Sequence, residues 1–325
     1  MKSVFTKNSI SSSTLSLSKK IESKKKLEWH NIKMNYDMYL LMIPGLLFLL
    51  LFRYLPMYGI LIAFQDFNIF EGILKSEWIG LANFTRLFQM KEFYTVFTNT
   101  LVISIYKIAF LFPAPIVLAL LLNEVKNMLF KRTVQTVIYL PHFLSWVIIA
   151  GLFINILSTS SGLINNVIKA FGGEPIAFLM DNRWFRSILV FSAGWKESGW
   201  NTIVYIAAIA GVEQEVYEAA IIDGASRIKQ MIHITIPSIL STIVMLFILR
   251  LGSILEAGTQ QILVMYNPVV YKTADIIGTY VYRTGLGNME YSFSTAVGLF
   301  NSLVGFILVI SGNNLSKKMV QRSIW

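Results

Sequence analysis

Cysteine is absent from the 325 residues, which excludes disulfides and thiolate chemistry. Charge is scarce as well: Asp, Glu, Lys and Arg make up 14% of the chain, against roughly 25% in soluble domains. Histidine occurs three times, at His30, His142 and His233, without a companion motif for a Ser/His/Asp hydrolase, and no nucleophile or metal ligand stands out. No G-x-x-x-x-G-K-[ST] phosphate loop occurs, so this chain is not expected to hydrolyse ATP. Neither an internal repeat nor a pair of Gly/Pro-broken helices in matching positions of two halves is evident. That counts against a secondary transporter built from inverted repeats.

Apolar residues fill the space left by charge. The chain is 55% hydrophobic with a mean hydropathy of +0.60, the composition of an integral membrane protein. A hydrocarbon core about 30 Å thick needs roughly 20 apolar residues per helix. Six charge-poor runs have that length, near 36–63, 94–122, 133–157, 187–211, 237–257 and 292–315. They are rich in Leu, Ile, Val and Phe with little alternation, so they read as helices and not barrel strands. The expected fold is an all-α membrane bundle with six transmembrane helices. The first run is too long for a signal-peptide core and has no small-residue cleavage site, so it is expected to be retained as the first span.

Orientation follows from the cations, because Lys- and Arg-rich loops stay cytoplasmic. The N-terminal tail, the loops after the second and fourth spans and the C-terminus together hold sixteen Lys and Arg, among them Lys24, Lys25, Lys26, Lys126, Lys131, Arg132, Arg227 and Lys317. The opposite side holds eight, and the acidic Asp66, Glu71, Glu77, Glu92, Glu174, Asp181, Asp275 and Glu290 fall there too. Both termini are therefore expected inside. The net charge of +10 reflects this bias, and no basic and aromatic pattern forms a separate nucleic-acid-binding domain. Residues 1–35 are Ser- and Lys-rich, unable to bury a core, and read as a cytoplasmic tail held near anionic membrane lipid. The remainder, 36–325, reads as one transmembrane domain. Its outer loops, 64–93, 158–186 and 258–291, are dotted with Trp, Tyr and Phe, an interfacial belt of which some could receive an extracellular partner.

Between spans four and five lies a polar inner loop, 212–236. Glu213, Glu215 and Glu218 crowd the start of a helix, where acidic side chains complement the positive end of the dipole. Gly224 supplies the permissive backbone that ends a helix, and Pro237 suits the first turn of the next span. Ala219 and Ala220 leave the helix surface shallow, open to close approach by another protein. On local physics alone, a docking element and a mere connector fit equally well.

The residues Glu218-Ala219-Ala220-Ile221-Ile222-Asp223-Gly224-Ala225, with Ile234 and Pro237 downstream, resemble the EAA loop of permease subunits in binding-protein-dependent ABC importers. Further segments resemble one branch of that family, the LplB/YteP-type oligosaccharide permeases related to the larger maltose-type subunit. They include Tyr54-Leu55-Pro56-Met57-Tyr58-Gly59, Trp78-Ile79-Gly80-Leu81-Ala82-Asn83-Phe84, Asn99-Thr100-Leu101, Tyr139-Leu140-Pro141, Trp195-Lys196-Glu197-Ser198-Gly199-Trp200-Asn201 and Tyr266-Asn267-Pro268-Val269-Val270-Tyr271. The likeness runs from about residue 35 to the C-terminus. Met231 and Ser241 stand where the family often has an aromatic residue and a second proline.

This resemblance implies a type I ABC importer permease fold in a bacterial plasma membrane. It implies a heterodimer with a second, homologous permease, two cytoplasmic ATPase subunits that bind ATP and Mg, and an extracellular solute-binding lipoprotein. The cargo implied is an oligosaccharide, with pectin- or rhamnogalacturonan-derived fragments one class. Glu218, Ala219, Ala220, Asp223, Gly224 and Ala225 would form the helix seated in the ATPase, whose closure moves the spans between inward- and outward-facing states. No cofactor is expected in this chain. An ion-coupled secondary transporter is the alternative.

Arg53, Lys107, Lys196, Glu197, Arg250 and Glu256 lie within or near the apolar runs, where a charge costs about 2.5–3.5 kcal/mol on insertion scales. They should be paired, wetted by a cavity, or close enough to an interface to snorkel. Lys196 and Glu197 are adjacent, so they point to different faces and cannot bridge each other. With Trp195, Trp200, Asn201 and Tyr205 they form the most polar and aromatic patch in any span. An oligosaccharide path needs such chemistry; helix packing and contact with a partner subunit also explain it.

Overall fold

The computed structural model describes residues 34–320; the chain divides into two units, residues 1–61 and 62–325. The expected basic tail therefore lies, up to residue 33, outside the described residues. In the first unit, α1 (Tyr36–Leu49) runs on through a wide π turn at Leu50–Tyr54 into a 3₁₀ stretch that starts at Leu55. Pro56 has no N–H to offer Phe52. Just ahead of it the ladder widens, with the Leu55 N–H donating to the Leu50 carbonyl.

The second unit opens on a two-residue antiparallel ribbon, β1 (Gln65–Asp66) against β2 (Glu77–Trp78). The buried Asn83 amide ties it down by donating to the Ala63 and Gln65 carbonyls at 3.0 and 3.3 Å. Helices follow in the order α2 (Ala82–Gln89), α3 (Lys91–Leu111), α4 (Pro113–Glu124), α5 (Met128–Tyr139), α6 (Trp146–Ile156), α7 (Leu163–Ala170), α8 (Asn182–Ala210), α9 (Gln214–Ile222) and α10 (Arg227–Gln230). Then come α11 (Leu240–Gly252), α12 (Thr259–Met265), α13 (Tyr271–Ala274), α14 (Ile277–Tyr282) and α15 (Tyr291–Val320).

Three described helical runs are long and apolar enough to cross a membrane: Tyr36–Phe64, Lys91–Glu124 and Tyr291–Asn314. Two more candidates are broken. Met128–Phe143 and Trp146–Ile156 meet at 103°, and Arg227–Ser238 and Leu240–Gly252 meet at 62°. The sequence reading did not anticipate these breaks, which explain why 133–157 and 237–257 are not straight spans. At the first, Pro141 cannot continue the ladder, and the Ser145 hydroxyl restarts it by accepting the Ile148 N–H at 3.3 Å. At the second, a π turn at Met231–Thr235 is followed by the short piece Ile236–Ser238 that carries Pro237. Helix α8, expected as the fourth span, has 29 residues, roughly 44 Å of helix at 1.5 Å per residue. It has the length to span but is too polar to qualify on composition, because charge sits at its middle.

That polarity is tolerated because α8 is the axis of the bundle. Phe185 and Leu189 on it pack with Ile103 of α3, Ile149 and Phe153 of α6 and Ile262 of α12. Tyr205 and Ile209, further along, pack with Ala119 of α4 and with Ile239. In lipid, apolar burial gives little net drive, so helices are held by close approach and polar ties. Gly199 shows the close approach: a Cβ there would collide with the backbone carbonyl of Ile138.

Candidate functional site: a capped loop helix and a charged cleft

The loop at 212–236 folds as its residues dictate. Helix α9 ends at Ile222, and Gly224 takes the left-handed conformation at φ +74°. The Ala225 N–H donates to the Ala220 carbonyl at 2.9 Å and the Gly224 N–H to the Ile221 carbonyl at 3.0 Å, which is a Schellman termination. The Ser226 hydroxyl then opens α10 by accepting the Lys229 N–H at 3.4 Å. Contacts behind the helix hold it in place. The Tyr217 and Thr235 hydroxyls bond at 2.9 Å, the Gln230 amide donates to the Ala225 carbonyl at 2.8 Å, and Arg227 lies 3.6 Å from Glu124.

The opposite face is open. Val216, Glu218, Ala219, Ile222 and Asp223 are exposed, while Ala220 and Ala225 are half-buried. Among the described residues neither Glu218 nor Asp223 forms an ion pair. A short helix whose cap fixes its end and whose apolar and acidic groups face outward is built for contact with another surface.

In the spans, the residues of the polar-aromatic patch separate. The Lys196 ammonium donates to the carbonyls of His142 at 2.8 Å and Leu144 at 2.5 Å, capping the break between α5 and α6, and lies 5.5 Å from the Trp146 ring centroid. Trp200 stacks on His142 with centroids 4.4 Å apart and planes 1° from parallel. Trp195 turns toward an apolar groove beside Phe153 and Phe191. Glu197, Asn201 and Tyr205 are brought together, lining a cleft of about 270 Å³ with Arg250 and Ser253 of the α11 end and Phe112 of the α3–α4 junction. Glu197 and Arg250 face each other across it at 4.0 Å. The expectation that Lys196 and Glu197 find separate partners therefore holds.

A buried polar network beside this cleft went unrecognised in the sequence. The Lys107 ammonium of α3 donates to the Ala257 carbonyl at 2.9 Å and to the Gln261 side-chain oxygen at 2.5 Å. The Gln261 amide in turn donates to the Leu189 carbonyl at 2.8 Å and the Ser192 hydroxyl at 2.7 Å. Ala257 and Gly258 are consecutive left-handed residues, at φ 47° and 86°, and they turn the chain from α11 toward α12. In the sequence Lys107 is a cation in an apolar run, but its acceptors lie 150 and more residues away and carry no local signal.

The segment at 272–283 is also tied to the bundle. Asn99 donates to the Lys272 and Asp275 carbonyls, both at 3.1 Å, and Arg186 donates to the Asn99 oxygen at 2.8 Å. Asp275 accepts from Thr279 and Arg283, each at 2.7 Å. Burial works against the Arg283 charge, but the hydrogen bond and charge of Asp275 outweigh it and raise the guanidinium pKa.

The chain is mostly helical, with one short β ribbon and an exposed, capped loop helix, and comparison with known proteins gives the family. Residues 112–321 match the family described as binding-protein-dependent transport system inner membrane component. The chain is 48% identical to the polygalacturonan/rhamnogalacturonan transport system permease protein YteP of Bacillus subtilis (strain 168), over 94% of this chain and 95% of that protein. It is 48% identical to Protein LplB of the same organism, over 90% of this chain and 92% of that one. Its fold matches a chain in the crystal structure of a bacterial alginate ABC transporter in complex with an alginate pentasaccharide-bound periplasmic protein. The TM-score is 0.84 and the identity 40%, over 91% of this chain and 99% of that chain. The chain thus belongs to the family of binding-protein-dependent ABC importer permeases, and it is a multi-pass protein of the bacterial plasma membrane.

Proposed function

We propose that this chain is the permease subunit of an ATP-driven importer of oligosaccharides, pectin and rhamnogalacturonan fragments among them. It works as a heterodimer with a second, homologous permease, and a solute-binding lipoprotein delivers the sugar from outside. Two cytoplasmic ATPase subunits hold ATP and Mg and do the hydrolysis. Six spans cross the membrane, with α8 as the fourth and the two broken helices as the third and fifth, and both termini lie in the cytoplasm. The domain plan is a basic tail over 1–35 and a permease domain over 36–325 with its coupling loop at 212–236.

The observation that carries this reading is α9: a helix ended by a Schellman cap at Gly224, with Glu218, Ala219 and Asp223 exposed. In this role Glu218 and Asp223 meet polar or basic groups of the ATPase, and Ala219, Ala220 and Ala225 allow close approach. The rigid cap lets movement of the ATPase reach the spans. The sugar path runs along α8, where Glu197, Asn201 and Tyr205 line the cleft; Trp195, Lys196 and Trp200 support it through the groove and the capped break.

The test is an affinity pull-down of the chain from solubilised native membranes, with mass spectrometry of what co-purifies in the wild type and in Glu218→Lys. Recovery of a second permease and an ATPase, with the ATPase lost in the variant, is the expected outcome. A chain that purifies alone and transports sugar in liposomes lacking ATP overturns the proposal in favour of ion-coupled transport.

A further inference from the structure

We propose that Lys107 and Lys196 are a pair of latches that hold the outer half of the bundle shut, and that transport requires both to release. This rests on the importer reading above and its orientation of the spans, and adds the residues that position the closed state.

Two interruptions of the helical chain are closed in the same way. A helix that stops leaves main-chain carbonyls without a helical N–H, and at each of these two places a lysine from a neighbouring helix takes them. Lys196 of α8 donates to the His142 and Leu144 carbonyls between α5 and α6, at 2.8 and 2.5 Å. Lys107 of α3 donates to the Ala257 carbonyl between α11 and α12 at 2.9 Å. One turn earlier on α3, the Ser104 hydroxyl donates to the Ile254 carbonyl. Both lysines are buried, at 4% and 8% exposure, and neither forms an ion pair among the described residues. Pairing with an acid therefore does not account for them, and the carbonyls do. An ammonium has three donors and no acceptor, and its flexible stem can reach across to a neighbouring helix and withdraw again.

The short helices that follow the two interruptions pack together. Ile149 and Phe153 of α6 and Ile262 and Met265 of α12 share one buried core with Leu189 of α8 and Ile103 of α3. From Lys196 toward the outer end, α6 and α12 thus close against α8. From Lys196 toward the inner end, Glu197, Asn201 and Tyr205 of the same helix line the cleft. The cleft walls also reach the second latch, through Leu111, one turn past Lys107, and through Ser253, which precedes the turn at Ala257. Both lysines stand where the closed half meets the cleft, and a sugar delivered from outside enters when α6 and α12 part.

Parting wets the carbonyls. In the closed form the latches supply their donors, and a buried carbonyl stripped of its donor is costly. In the open form water takes that place. Removal of a latch therefore penalises the closed form alone and shifts the population toward the open one.

The chain has no cysteine, so one thiol placed in the cleft reports access without background. The experiment uses Asn201→Cys, at an exposed position of the cleft wall, in the importer assembled with cysteine-free partner subunits. Right-side-out vesicles without ATP are treated from outside with a membrane-impermeant thiol reagent, and rates are taken per folded, partner-bound chain. Labelling is slow with both lysines present and rises on the order of tenfold in Lys107→Met and in Lys196→Met. Ser104→Ala, a milder loosening of the turn at Ala257, gives a smaller rise and stands in if Lys107→Met does not assemble. A merely structural role would lower yield and melting temperature and leave the labelling rate per folded chain unchanged. Labelling of the folded lysine variants at the unsubstituted rate overturns the proposal, as does fast outside labelling with both lysines in place. If either occurs while the wild-type complex imports sugar with ATP, the importer reading stands. If the complex with all its partners imports no sugar, the importer reading fails and the latches lose their role with it.

Discussion

Substitution of Gly224 isolates what the end of helix α9 contributes, and so tests its proposed coupling role. The residue sits at φ +74°, and a Cβ built on it meets nothing within 4 Å. A side chain there therefore encounters no clash within the chain, and the cost is that of the backbone alone. An L residue in the left-handed region costs roughly 1–2 kcal/mol, with Asn and Asp the tolerant exceptions. An energy of that size corresponds to about a 5- to 30-fold drop in the population of the capped conformer. Proline cannot take a positive φ at all, so Gly224→Pro abolishes the cap. The expected order is wild type, then Gly224→Asn, then Gly224→Ala, with Gly224→Pro inactive. Two assays read it: the amount of ATPase co-purifying with the chain, and ATP-dependent sugar uptake, each normalised to the chain's abundance in the membrane. The comparison of Asn with Ala is the decisive one. Asn is larger, so if crowding at a docked surface were the cause, Asn would be the worse of the two. Retention of function by Ala above Asn, or equal function across all four, would falsify the backbone argument.

Two further outcomes test the span contacts. Lys196→Met keeps the apolar stem but leaves the His142 and Leu144 carbonyls without their ammonium donor. At about 1.5–3 kcal/mol for a hydrogen bond to a charged group and roughly 2–4 °C per kcal/mol, a thermal melt in detergent should move down by several degrees; an unchanged melt refutes the capping role. Gly199→Ala drives a Cβ into the Ile138 carbonyl, and overpacking of that kind costs about 1–3 kcal/mol. Its yield of folded protein should fall, whereas Gly298→Ala, with nothing within 4 Å, serves as the neutral control, and equal yields would show that α5 and α8 do not meet closely.

The loop at 212–236 was legible because its signals are local. The acidic first turn, the alanines and the glycine stop lie within about a dozen residues, and helix α9 with its Gly224 cap formed from those residues alone. The apolar runs were legible for the same reason, since hydropathy sums over neighbours. The breaks at 144–145 and at Ile239 were not. Pro141 and Pro237 are visible in the sequence, but a proline can kink a helix, end it or begin it, and which of these happens depends on what satisfies the freed carbonyls. At Pro141 the answer is Lys196, more than fifty residues along the chain.

Composition and short-range order by themselves determined that this chain is helical, membrane-embedded and equipped with a capped loop helix, because lipid permits few backbone solutions and caps are made by adjacent residues. Tertiary structure alone decided what four of the charges in the apolar runs do. Lys196 closes a broken helix, Lys107 holds the turn at Ala257, and Glu197 and Arg250 face each other across a cleft. Those roles depend on partners some 50 to 150 residues away, and a buried charge is defined by whatever packing brings beside it, which no local pattern encodes.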